Sequence, residues 1–570
     1  MNGRVVRKNR VFIALGMIFM GAGACVQNLT EGPGTGSETT NGFAATIRYQ
    51  DGTPAANASV KLRSSDFLKE PVNGVPKQTG FSAIDTKTDS SGHFSLLDVA
   101  MLDYSIEVID PLQSEGVLIN GRANRDAVVD YGIVYLDPVG SIAGTIDTAG
   151  LPLNTSLYVQ VFGLDRVEKV DAASGSFRLE GLPAGKYTVR LLPGQPDYLP
   201  EIISNVTVAS AAATVLDTVV LAPLSSWCCS RRIYTNTTAS GADVAATITK
   251  FPVLVRLDSS NFDFSAARSD GGDLRFTKDD NSPLPYQIER WDSAGARAEV
   301  WVKVDSVIGS SDTRYFIMLW GNPDATGETS GETVFDTSMG FEGVWHMNDT
   351  DSASLRDATA NRFDGRKYSM GADAVEEGMC GTSQRFNGTT DYIVLSNTAS
   401  GKLNFSEDGV YSISAWVYAE VLDGDYHSVI SKGNQQYGLQ LSKDNMWQFF
   451  EYHDLAGWDG VEGSAEVHRW CYITGVRAGS RQFLYVNGVL VDSTITYTES
   501  GTKRITTDNV FIGRRTLDTT RYWNGMIDEV RICSWSHSAN WIRLCYMNQK
   551  SEDQLLEFRD PPTTAPRENP

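Results

Sequence analysis

Asp528 is the side chain in this sequence that asks most of its surroundings. In the run Ile527-Asp528-Glu529-Val530-Arg531-Ile532 a period of two puts Asp528 on the same face as Val530 and Ile532, the apolar face, and Glu529 on the other. A carboxylate turned inward must be hydrogen-bonded, paired or bound to a cation, because an isolated buried charge is very unfavourable. Asp273, Glu289 and Glu299 invite reading as a carboxylate set, but each sits in or beside an apolar strand pattern and is expected on a solvent face or in a turn. His427, His453 and His468 are not grouped with a nucleophile. The chain has no G-x-S-x-G elbow, no H-E-x-x-H helix and no phosphate-binding glycine-rich loop. Trp458 stands in His453-Asp-Leu-Ala-Gly-Trp458-Asp459-Gly460, a loop composition that argues for exposure, with Tyr452, His453, Asp454 and Asp459 as polar neighbours. Its ring either faces a ligand or folds back to cap the core.

The elements that must position these groups are strands. Short runs rich in Val, Ile, Thr and aromatics alternate with Gly, Asp and Asn turns, and only residues 537–550 read as helical. The 570 residues are too many for one core. A net charge of −21 argues against nucleic acid and polyanionic glycans, and suits a neutral polysaccharide, a protein or a cation. Of seven cysteines, Cys25 belongs to the N-terminal segment. The other six, Cys228, Cys229, Cys380, Cys471, Cys533 and Cys545, include no C-x-x-C pair and allow fifteen pairings. Adjacent Cys228 and Cys229 would point to opposite faces of a strand. At least one disulfide is expected among the last four, and Cys533 with Cys545 is the nearest pair in sequence.

Arg4, Arg7, Lys8 and Arg10 precede an uncharged run, Val11 to Met20, which rises only about 15 Å as a helix, half a hydrocarbon core. That is the pattern of a signal peptide over residues 1–24. Gly21-Ala22-Gly23-Ala24-Cys25 resembles the bacterial lipobox, which implies lipidation at Cys25, with plain cleavage after Ala24 as the alternative because Ala22 stands where Leu is usual. Val26 follows the cysteine where Asp would signal inner-membrane retention, so the resemblance implies an outer-membrane lipid anchor. Residues 25–41 form a flexible tether and 559–570 a disordered tail.

Two units repeat. Phe94 and Tyr104 in Asp89-Ser-Ser-Gly92-His-Phe94 and Tyr104-Ser-Ile106 are ten residues apart, as are Phe177 and Tyr187 in Ser174-Gly175-Ser-Phe177 and Tyr187-Thr-Val189. With Asp51-Gly52-Thr-Pro54 and Gly181-Leu-Pro-Ala-Gly185, residues 42–137 and 138–222 resemble carboxypeptidase-regulatory-like β-sandwiches, which usually act as spacers. Residues 223–336, with Phe251-Pro-Val-Leu-Val-Arg-Leu257, Ala298-Glu-Val-Trp-Val-Lys-Val304 and Tyr315-Phe-Ile-Met-Leu-Trp-Gly-Asn322, resemble an uncharacterised bacterial β-domain family.

Residues 337–558 carry Gly343-Val-Trp345, Arg385-Phe-Asn-Gly388, Tyr411-Ser-Ile-Ser-Ala-Trp416, Phe483-Leu-Tyr-Val-Asn487-Gly488 and Gly525-Met-Ile-Asp528 in order, and resemble a LamG or concanavalin A-like jelly roll. The fold class is therefore all-β multidomain: tandem β-sandwiches, a β-rich domain, then a concanavalin A-like jelly roll. The superfamily includes glucanases, but the Glu-x-Asp-x-x-Glu strand of the laminarinase type is missing, so no enzyme is expected. For Asp528 the resemblance implies a structural Ca2+ site in which Asp357 and Asn361 supply further oxygens; backbone hydrogen bonding is the alternative. The function expected is non-catalytic binding at the cell envelope, with neutral polysaccharide as ligand. A protein-binding adhesin and a purely structural envelope protein are the alternatives.

Overall fold

The computed structural model describes residues 41–69, 71, 83–99, 103–123, 128–149, 151–152, 155–194, 197–395, 401–405, 409–433, 436–453, 457–495, 507–515, 520–560 and 562. The fold is all-β and multidomain. Cys25 and Asp454 lie outside the described residues. Alternating apolar residues close the first sandwich. Strand Gly42–Arg48 lies between His93–Leu97 and Val128–Tyr135, and a five-stranded sheet packs on them over Phe43, Ile47, Leu62, Ile106 and Val108. The second sandwich repeats the scheme around Gly140–Thr145 and Gly185–Pro193. In each, the ten-residue spacing sets the Phe on one sheet and the Tyr on the facing one: Phe94 and Tyr104, Phe177 and Tyr187 are all buried. Arg63 joins the two sandwiches through a bidentate pair with Asp165, at 2.9 and 2.6 Å.

The jelly roll stacks two large sheets. In one, Asn524–Cys533 runs at the centre beside Tyr411–Ala419; in the other, the order runs from Ser354–Leu355 through Tyr392–Leu395, Val510–Ile512, His427–Lys432, Tyr437–Leu441 and Met446–His453 to Gly457–Ser464. Asn487 (φ 51°) and Gly488 (φ 76°) make the tight turn between Arg481–Val486 and Val489–Ile495, a left-handed pair of residues that suits the strand twist.

The preceding β-domain does not stand apart from this sandwich. Its strands Ile248–Asp258, Arg297–Val307 and Arg314–Trp320 share one hydrophobic core with Trp416, Tyr472, Cys533, Trp541 and Leu544 of the jelly roll. Helix Ala539–Gln549, capped by the Ser538 hydroxyl, fills the junction, and Asn548 there bonds both the N–H and the C=O of Leu254 at 2.7 and 3.0 Å. After the helix the chain returns, and Leu556–Glu557 adds a strand beside Tyr234 and Thr235 of the earlier domain. Those residues are therefore part of the sheet formed by Cys229–Thr235, not of the jelly-roll sheets.

Asp553 fixes that return, since its carboxylate accepts from the N–H groups of Leu555 and Leu556 and from the Asn548 amide. Burial pushes its carboxyl up to about 6, so the folded state holds this proton more tightly than the unfolded chain. The stabilisation that follows is fully present below the unfolded value near 4 and is lost as pH rises through 6, up to about 3 kcal/mol in all. Denaturant titrations between pH 4 and 7 should show this slope flattened in Asp553→Asn; an unchanged slope would refute the assignment.

Candidate functional site

One face of the sheet that runs from Ser354–Leu355 to Gly457–Ser464 packs against the core, and the other carries the groups that can meet a ligand. Trp447 and Phe449 point inward, so Gln448, Phe450 and Tyr452 point outward. Trp458 lies opposite Tyr452 in the next strand, Gly457–Ser464. Contrary to the loop expected from its flanking glycines, Trp458 is a strand residue, because eight consecutive pairings hold that segment against Met446–His453. The ring is 51 % exposed and meets Tyr452 (centroids 5.0 Å, 71°) and Phe450 (5.4 Å, 67°) edge to face. The Arg515 guanidinium lies 4.8 Å from the Trp458 ring centroid. Gly438 has no Cβ to obstruct the Phe450 ring, which lies across it.

Beside this aromatic group runs a row of amides. Gln440 donates to Gln448 at 2.6 Å, and Gln448 donates to Glu462 at 2.8 Å. Toward the opposite edge of the same face, Tyr368 and Tyr392 stack in parallel at 4.8 Å, with the Arg514 guanidinium 3.9 Å from the Tyr392 ring centroid. From the strand of Tyr392 to that of Trp458 is five strand spacings, about 24 Å. Flat rings with polar groups between them can pack the C–H faces of a sugar chain and fix its hydroxyls.

The residues expected around Trp458 divide between the two faces. Tyr452 joins it. His453 is fully buried on the inner face, 3.5 Å from the Glu451 carboxylate, and Asp459 lies on that inner side opposite Glu451. Neither borders the Trp458 ring, because in a strand successive side chains alternate.

The expected calcium ligands are also separated. Asp357 is buried, and its carboxylate accepts the N–H groups of Val344, Thr359 and Phe363 and the Thr359 hydroxyl. Asn361 donates to Glu342, and its oxygen accepts from Lys402. Asp528 accepts the N–H groups of Met379 and Cys380, both at 2.8 Å. Each is held by its own partners, so the hydrogen-bonding alternative describes Asp528, whose two backbone donors tie the Met379–Cys380 segment to its strand, and the three form no common cation cage.

Asp528 also faces the other way from the expectation. Glu529 adopts φ 50°, and the register against Tyr411–Ala419 slips there, so the alternation breaks. Ile527, Val530 and Ile532 enter the sandwich core, while Asp528 accepts from the Met379–Cys380 segment and Arg531 turns toward the preceding domain, its guanidinium 4.6 Å from the Trp301 ring centroid. Both faces of this strand are covered, and Asp528 and Glu529 are alike fully buried.

Glu289, Glu299 and Asp273 are likewise interior. Glu289 accepts from the Trp301 indole at 2.6 Å, Glu299 takes a bidentate pair with Arg290, and Asp273 accepts the N–H groups of Arg268, Gly321 and Asn322. Asp273 is enclosed within its own domain, whereas the strands of Glu289 and Glu299 alternate as if one face were wet, and no local pattern announces that the jelly roll covers it.

All six described cysteines are free thiols. The expected Cys533–Cys545 bridge is absent; both residues are buried in the shared core, where they pack as small apolar side chains. Nor do Cys228 and Cys229 diverge. Cys228 precedes the strand that Cys229 opens, and their sulfurs are 2.9 Å apart.

Residues 387–543 match the concanavalin A-like lectin/glucanases superfamily, and residues 270–352 match a domain of unknown function (DUF2341). No curated protein matches the chain. Among solved structures, the binding domain of Paraclostridial Mosquitocidal Protein 1 aligns at 15 % identity and TM-score 0.31, over 36 % of this chain and 52 % of that one. Domain 4 of AbnA, an extracellular arabinanase from Geobacillus stearothermophilus in complex with arabinotriose, aligns at 19 % identity and TM-score 0.28, over 36 % of this chain and 97 % of that one. The botulinum neurotoxin serotype D binding domain aligns at 14 % and 0.29, over 36 % and 51 %. This chain thus spans about half the length of the first and third of these.

Proposed function

We propose that this is a non-catalytic cell-envelope lipoprotein that binds neutral polysaccharide on the outer face of the sheet that carries Trp458 in its concanavalin A-like domain. The observation that carries the reading is Trp458, half exposed and held edge-on by Tyr452 and Phe450 beside the Gln440–Gln448–Glu462 row. An indole fixed in this way offers a large apolar plane at little entropic cost, while the half-buried Gln448 and Glu462, with Gln440 buried behind them, discriminate hydroxyl geometry. The net charge of −21 favours neutral over sulfated chains. The basic start, the short apolar run and the small residues before Cys25 support a lipid anchor on the outer membrane, whose signature is an acyl mass on that cysteine. The missing Glu-x-Asp-x-x-Glu strand supports binding without hydrolysis.

A glycan array probed with the soluble chain from residue 42 onward tests the ligand class. Retention on neutral polysaccharides but not on sulfated ones is expected, with no shortening of the bound glycan; binding confined to charged glycans, or none, would contradict it. A protein partner is the second reading. It is favoured by the edge strand Val489–Ile495, which exposes Val489, Leu490, Val491 and Ile495 by 44–61 % and could accept an added strand.

A further inference from the structure

Where the two C-terminal domains meet, three carboxylates and an imidazole are enclosed together. The side chains of Glu289, Asp528 and Glu529 are fully buried and His346 is nearly so. His346 Nδ1 lies 2.5 Å from Glu529 Oε1 and 3.7 Å from Glu289 Oε2. Ligand atoms of Glu289, His346 and Glu529 all fall within 4.8 Å of one another, the one such group among the described residues. The outer partners resemble those that set up a metal ligand shell. His346 Nε2 is 3.2 Å from Gln287 Oε1, an acceptor that holds a proton on Nε2 and turns Nδ1 toward Glu529; Trp301 donates to Glu289, and Arg531 donates to Glu529.

Two oxygens of this enclosure remain unanswered. Glu289 Oε1 and Asp528 Oδ1 are buried and accept no hydrogen bond. A divalent cation held between Glu289, His346 and Glu529 gives the buried Glu289 carboxylate, one oxygen of which has no partner in the protein, the partner it lacks. Beside Glu289 Oε1 stands Gly381 (φ 67°), whose Cβ would come within 2.6 Å of that oxygen, so any side chain there would crowd it.

We infer that Glu289, His346 and Glu529, with Asp528 adjoining, form a binding site for a divalent transition-metal ion of the zinc or manganese class, which clasps the β-domain to the jelly roll. The imidazole selects that class, because calcium and magnesium take oxygen ligands. Ligands at about 2 Å from a tetrahedral ion stand about 3.3 Å apart, so the 2.5 Å contact opens and the 3.7 Å contact closes, each by under about 1 Å. The ion takes the place of the proton shared by His346 Nδ1 and Glu529, so binding releases about one proton to solvent. The site is separate from the outer face that carries Trp458, and neither depends on the other.

The test uses the full chain, purified without a histidine tag, stripped with chelator and offered zinc, manganese, calcium or magnesium singly. Expected are one equivalent of zinc or manganese by elemental analysis, a rise in Tm of several degrees, a proton released in titrations across buffers of different ionisation enthalpy, and loss of all three in Glu289→Gln and His346→Gln. Failure of the folded wild type to retain or take up either ion overturns the proposal. So does uptake that is undiminished in Glu289→Gln, or a response to calcium alone. Should a variant fail to fold, wild-type stoichiometry and proton release still decide.

Discussion

Arg531→Met is expected to destabilise the C-terminal pair of domains by about 3–5 kcal/mol, because it strips the guanidinium from a buried pair and leaves the carboxylate behind. Arg531 is 3 % exposed and donates twice to Glu529 Oε2, at 3.1 and 2.7 Å, while its guanidinium lies 4.6 Å from the Trp301 ring centroid. Methionine keeps the unbranched stem and fills much of the space, so what is lost is charge and hydrogen bonding rather than volume. Burial alone would raise the Glu529 carboxyl, but His346 and Arg531 outweigh it and hold the group below the ordinary carboxylate range. Without Arg531 that balance fails. Thermal melting should show a fall in Tm of roughly 4–7 °C for a unit of this size. Adding Glu529→Gln should recover part of the loss, since coupled groups are not additive. A loss under about 1 kcal/mol would mean that the pair is not the buried contact described.

The fold was legible in this chain wherever local chemistry decides it. Asn487-Gly488 fixes a turn by backbone preference alone, and the ten-residue Phe–Tyr spacing fixes the two facing layers of each N-terminal sandwich. The segment 537–550 that reads as helical holds the one helix longer than four residues among the described residues, Ala539–Gln549. What could not be read depends on distant partners. Strict alternation puts Asp528 on the wrong face, because a single left-handed residue, Glu529, resets it. Glu289 was expected in solvent because nothing in Tyr286–Asp292 reveals that the jelly roll covers that strand. Gly457 and Gly460 flank Trp458 and mimic a loop, yet cross-strand pairing with His453 and Phe450 makes the segment the edge of a sheet. Even so, the indole itself was found from sequence, since its polar, glycine-rich flanks argued for exposure. The error lay in its neighbours: His453 and Asp459 are close in sequence but alternate to the far face.

Trp458→Ala is the second large effect expected, and it falls on binding rather than on stability. Half of the ring is already in water, and the remainder touches Tyr452, Phe450 and Arg515, so its removal opens no core cavity and should cost about 1 kcal/mol or less of folding stability. A rigid aromatic anchor at the centre of a contact commonly accounts for about 2 kcal/mol, which is roughly a thirtyfold weakening. Trp458→Phe should retain part of this, because the apolar plane persists at smaller area. The deciding measurement is calorimetric titration of a neutral polysaccharide retained on the array into wild type and Trp458→Ala, with melting curves recorded on the same samples. An increase in Kd of about thirtyfold at a Tm changed by less than about 3 °C is the result the outer-face account predicts; unchanged affinity in a folded Trp458→Ala protein would contradict it.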